Sequence, residues 1–91
     1  MLFMVVEHFR DGDPTPVNRR FGERGRLLPD GLRYAGSWVT SDLTRCYQVM
    51  EAADRSLLEE WVAQWADLVR FEVVEVITSA AATAAITHRP G

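Results

Sequence analysis

Two carboxylates and a histidine stand where strands should end: Glu7 and His8 in LFMVVEHF, and Glu51 closing RCYQVME. Carboxylates brought together under apolar cover push one another's ionisation upward, the usual preparation for general acid or base work. If residues 2–9 and 45–51 are neighbouring parallel strands, their carboxyl ends lie side by side and bring Glu7 near Glu51. On the odd-numbered face both would point toward the helices, together with Tyr34, Trp38 and Tyr47, while Trp61 and Trp65 close over them as ligand-binding walls. His8 then falls on the opposite face, near a subunit interface, where it could shuttle protons. Against this stands a purely structural role for Glu51, paired with Arg33 or Arg10.

Other chemistries find little support in the residues. No His-x-x-x-His or Cys-x-x-Cys spacing is present and His88 lies near the terminus, so no metal is expected. There is no glycine-rich phosphate loop and no serine elbow, and no cofactor is expected. Cys46 is the sole cysteine, which excludes an intrachain disulfide and reads as a small buried hydrophobe. Trp61 and Trp65, at i, i+4 spacing, are more often core than the wall of a site.

The elements that must hold these groups follow from periodicity. LFMVVEHF carries apolar residues in both alternating sets, as a central strand does. The turn RDGDPTP follows, with Asp13 or Thr15 available to cap a helix whose Val17, Phe21, Arg24 and Leu28 share a face. Residues 32–40 and the strand from Arg45 form a hairpin around a four-residue loop. Pairing Thr40 with Arg45 matches Trp38 with Tyr47, Gly36 with Val49 and Tyr34 with Glu51. DRSLLEEWVAQWADLV then places Leu58, Trp61, Val62, Trp65 and Leu68 on one helical stripe. Either Asp54, or Ser56 with Glu59, caps that helix. RFEVVEVI is the last strand, and Ser79 caps a short alanine-rich helix before a frayed end at 88–91.

Strand, helix, strand, strand, helix, strand is the α+β pattern of a ferredoxin-like βαββαβ fold: a four-stranded antiparallel sheet of order 4-1-3-2 with both helices on one face. The first and third strands become its central pair, read here as parallel. At 91 residues the chain is expected to be one domain, with its core over 2–78 and a tail over 79–91. The other sheet face, assigned Leu2, Met4, Val6, Cys46, Met50, Val74 and Val76, needs a cover, and a second copy is the simplest one.

Composition narrows the partners. A net charge of -3 argues against nucleic acid. No apolar run approaches the ~20 residues of a membrane helix, and the opening residues lack the basic start and cleavage site of a signal peptide, so the cytoplasm is expected. All ten basic residues are arginine, and six, among them Arg20, Arg26 and Arg33, crowd the first third, where an anionic ligand or a solvated helix face would suit them.

QVMEAADRSLLEEW, with QWADLVRFEVVEVI and the opening LFMVVEHF, resembles a bacterial family of domains of unknown function within the dimeric α/β-barrel group of ferredoxin-like proteins. The resemblance covers residues 2 to about 78. It implies the fold and a homodimer, and it supplies no catalytic residues. That wider group includes cofactor-independent monooxygenases, lactone isomerases, haem-degrading enzymes and members that only bind. The favoured reading is a small-molecule-binding or structural module, taking a small apolar or anionic ligand. The alternative is a cofactor-independent enzyme acting on an apolar or aromatic carbonyl compound, with Glu7, His8 and Glu51 as its acid-base groups.

Overall fold

The computed structural model describes residues 1–88, so residues 89–91 of the expected frayed end lie outside the described residues. Strands β1 (Leu2–Phe9), β2 (Arg33–Val39), β3 (Arg45–Glu51) and β4 (Val69–Val76) are joined by helices α1 (Thr15–Arg24) and α2 (Arg55–Ala63), and α3 (Ser79–Thr87) follows β4. The sheet order is β2-β3-β1-β4, with every neighbouring pair antiparallel. This is the α+β ferredoxin-like arrangement that the element order implies.

The central pair differs from its expected direction. Each crossover helix returns the chain to a strand parallel to the one it left, and the sheet seats one strand between the two, so β1 and β3 run antiparallel. Their register pairs Phe3 with Met50, Val5 with Gln48 and Glu7 with Cys46. Odd residues of β1 therefore share a face with even residues of β3. Phe3, Val5, Met50, Leu58, Trp61 and Trp65 are buried together between this face and the helices. Cys46 and Met50, expected on the open face, belong to the helix face instead, and Tyr47 takes the open one.

A second difference arises in β2. Thr40 does bond to Arg45 across the loop, and Trp38 and Gly36 do face Tyr47 and Val49. The register then slips between Tyr34 and Gly36, so Tyr34 meets Met50 and not Glu51. One extra residue in a bulge reverses the parity of everything beyond it. Tyr34 thus faces the helices while Trp38 and Tyr47 face away from them.

Helix ends follow local chemistry. Asp54 caps α2 by accepting the Ser56 amide at 2.9 Å, the first of the two expected caps. The helix stops at Ala63, and tightened turns carry the chain onward, with Trp65 bonded to Val62 and Leu68 to Trp65. Asp13 takes the amide of Thr15 at 3.0 Å at the start of α1. Thr78 rather than Ser79 caps α3, accepting from Ala81. No residue of α3 is buried. Among the described residues no helix is long and apolar enough to cross a membrane.

Candidate functional site

Helix α1 is too polar to fill the space beneath it. Of its ten residues only Val17 and Phe21 are large and apolar, and none is buried. Arg20 pins the helix from its flank through two bonds to the Asp67 carboxylate, at 2.8 and 2.7 Å, and one to the Gln64 carbonyl at 2.9 Å. A cleft of ≈ 460 Å³ is left between α1 and the sheet, walled by Phe9, Val17, Phe21, Trp61 and Trp65 and floored by Glu7, Cys46 and Gln48.

The indole N–H groups of Trp61 and Trp65 donate to one acceptor, the Arg26 carbonyl, at 3.0 and 3.1 Å. Spaced one helical turn apart, they reach the same atom from adjacent levels, which fixes the Gly25–Leu27 stretch against the C-terminal end of α2. Gly25 has φ 70 and Leu27 φ 61. The chain therefore turns sharply on either side of Arg26 and presents its side chain along the cleft. The guanidinium carbon lies 3.6 Å from the Tyr34 ring centre and 5.0 Å from that of Phe21. The Tyr34 hydroxyl is bonded to Ser37 at 2.6 Å, which holds the ring in place.

Glu7 is the chemically notable group. It is only 6% exposed, and burial pushes its pKa up to about 7, against the smaller opposing effects of a Gln48 hydrogen bond and the Arg26 charge. Gln48 Nε2 donates to Glu7 Oε1 at 2.6 Å, whereas Gln48 Oε1 is buried with no partner among the described residues. A carboxyl poised near neutrality changes between hydrogen-bond donor and anion under ordinary conditions. Beside it the Cys46 thiol is pushed up to about 11, by burial first and by the nearby Glu7 charge second. It stays protonated near neutral pH and is no nucleophile there.

The remaining residues singled out from the sequence are dispersed. Glu51 pairs across from Leu2 on β1, about 17 Å along the strand from Glu7, so the two carboxylates do not meet. Its nearest cation is Arg33 at 3.5 Å, and its side chain is 49% exposed. His8 lies on the open face and contacts Glu72 at 2.7 Å. Trp38, 65% exposed, and Tyr47 sit opposite each other on that same face. Tyr34 supports Arg26 without lining the cleft, and Trp61 and Trp65 line it. Among the described residues no three His, Cys, Asp or Glu side chains gather closely enough to hold a metal ion.

Among the polar cleft residues, Gln48 is passed over by sequence reasoning, and Arg26 enters it only as one of the arginines of the first third. Gln48 left a usable trace, since it is the one strongly polar side chain on the alternate set that carries Cys46 and Met50. Arg26 left none beyond its place in an arginine-rich stretch, because its position depends on two tryptophans distant in sequence.

A solved crystal structure of protein Atu4242 from Agrobacterium tumefaciens is similar at 7% identity and a TM-score of 0.49, covering 87% of this chain and 96% of that one. No curated protein matches. Residues 1–89 match the family described as Domain of unknown function (DUF3303). With nearly its whole length matched, the chain belongs to the DUF3303 family of domains of unknown function.

Proposed function

We propose that this chain is a cytoplasmic small-molecule-binding protein that works as a homodimer and seats its ligand in the cleft beneath α1. The observation that carries this reading is Glu7, buried at the floor of an aromatic-walled cleft and poised near neutral pH. A carboxyl buried for structure alone is normally matched by a cation within bonding distance. Glu7 is in none of the ion pairs among the described residues and has instead two uncharged neighbours, the Gln48 amide and the Cys46 thiol. The cleft volume falls within the range of small-molecule sites, and a few convergent polar groups among apolar walls are their usual lining. Trp61 and Trp65 would contact the ligand, and Tyr34 would act through Arg26.

Glu7 also favours a second reading, general acid or base catalysis on an apolar or aromatic carbonyl compound, because a pKa near 7 suits proton transfer in either direction. The two readings separate on Glu7→Gln. A binding protein keeps its ligand in that variant, whereas an enzyme keeps the ligand and loses turnover. In the wild type, two-dimensional NMR with a set of apolar aromatic alcohols, aldehydes and amides should move the indole signals of Trp61 and Trp65 and leave Trp38 still. Movement of Trp38 alone, or of none at millimolar probe, contradicts a ligand cleft at this place.

The dimer rests on the open sheet face, where Leu2, Met4, Val6, Tyr47, Val49 and Val74 have no cover. Four strands of this length present roughly 500 Å² per copy, so two faces together reach the roughly 1,000 Å² that a specific interface needs. His8 and Trp38 would lie at that interface. Light scattering at micromolar concentration is expected to give twice the chain mass, and Val49→Asp to give the single mass with the cleft intact. A wild-type monomer mass that does not change with concentration contradicts the dimer.

A further inference from the structure

Arg26 holds a charge that the described protein leaves unanswered. Its guanidinium rests against Tyr34 and Phe21. It takes part in none of the ion pairs and donates none of the side-chain hydrogen bonds among the described residues. By contrast Arg20, on α1, spends its fork on Asp67. Stacking on rings leaves the guanidinium edge, with its N–H donors, free for a planar two-oxygen acceptor. The backbone of Arg26 is fixed by the two indole bonds to its carbonyl, so this charge is positioned before any ligand arrives. Glu7 feels the Arg26 charge yet stands outside ion-pair distance of it, which leaves a gap between cation and carboxyl along one cleft.

Building on the cleft as the ligand site, we propose that it selects small amphipathic monocarboxylates, with the ligand carboxylate on the Arg26 guanidinium and the apolar body against Val17, Phe21, Trp61 and Trp65. A monoanion fits better than a phosphate. The walls offer no second cation to replace the hydration of a dianion, and the net charge of -3 disfavours highly charged anions. A polar substituent at the far end of the ligand would reach the Glu7 and Gln48 floor. Arg26 is thus a specificity-determining contact and Tyr34 the platform that positions it.

The test is a paired titration of wild type, Arg26→Gln and Arg26→Lys, followed through the indole signals of Trp61 and Trp65. The probes are benzoate, 4-methylbenzoate, phenylacetate and octanoate, each beside its own primary amide. At least one carboxylate is expected to bind the wild type about tenfold more tightly than its amide, the worth of one charge-assisted pair. Arg26→Gln should abolish that preference while amide binding persists, and Arg26→Lys, lacking the planar fork, should retain only part of it. Equal binding of acids and amides by wild type overturns the anion selection and leaves the ligand cleft standing. Binding of neither class removes the cleft reading as well. Should Arg26→Gln fail to fold, the wild-type preference and its weakening in 0.5 M salt, expected to be several-fold, decide the matter alone.

Discussion

Glu7→Gln is expected to stabilise the protein at pH 8 by about 2–3 kcal/mol while changing little at pH 4. The sign follows from the direction of the shift. Glu7 has its pKa raised from 4.5 in a solvated chain to about 7 in the fold, so between those values the folded protein keeps a proton that the unfolded chain has lost. Stability contributed at this site is complete below pH 4.5, declines as the pH climbs to about 7, and is flat above. Glutamine cannot ionise and its oxygen can still accept from Gln48, so the variant escapes the decline. Asp42 and Asp67, lowered to about 2 by their hydrogen bonds, act at far lower pH and leave this window clear. Urea midpoints from pH 4 to 9 for both proteins check it. Parallel curves would mean that Glu7 ionises in the fold as it does in water.

Trp65→Ala is expected to cost about 3–5 kcal/mol. The indole is 3% exposed, packed with Leu58, Trp61 and Phe3 in the core, and its loss removes one of the two bonds that anchor the Arg26 carbonyl. It also removes the surface beneath Arg20, whose guanidinium lies 5.6 Å from the Trp65 ring centre, and so loosens the Asp67 clamp on α1. Exposed Glu60, five residues earlier on the outer side of α2, should tolerate alanine with little change. The denaturant midpoint reads both. A small shift for Trp65→Ala would place this side chain outside the core and unmake the cleft wall.

Strands and helices were readable because their signals are local. Short apolar runs of strand length mark β1, β3 and β4 wherever they pair, and Leu58, Trp61 and Trp65 declare the inner face of α2 whatever lies beneath. Faces were harder. Whether Glu7 shares a side with Cys46 or with Tyr47 depends on the pairing register of two strands that are far apart in sequence. Reading β1 and β3 as parallel moved Glu51 to the wrong end of the sheet, and pairing odd residues with odd ones moved Tyr47 to the wrong face. The bulge before Gly36 is subtler still, since the residues around it, Tyr34-Ala35-Gly36, carry no alternation to betray it. The site consequently shrank from a carboxylate pair to one carboxylate, and gained Arg26 and Gln48. Both owe their roles to tertiary neighbours that no spacing within the chain encodes.

The central claim is that Glu7 is a carboxyl held near neutrality at the floor of a ligand cleft. The most direct test is a carbon-13 NMR titration of the Glu7 side-chain carboxyl, run on the free protein and again with the tightest of the small carboxylate probes at saturation. The free protein should show a midpoint near 7, and the bound protein a higher one, because a second negative charge enters the same low-dielectric cleft. A midpoint near 4.5, or one that stays put with the probe bound, would contradict the claim.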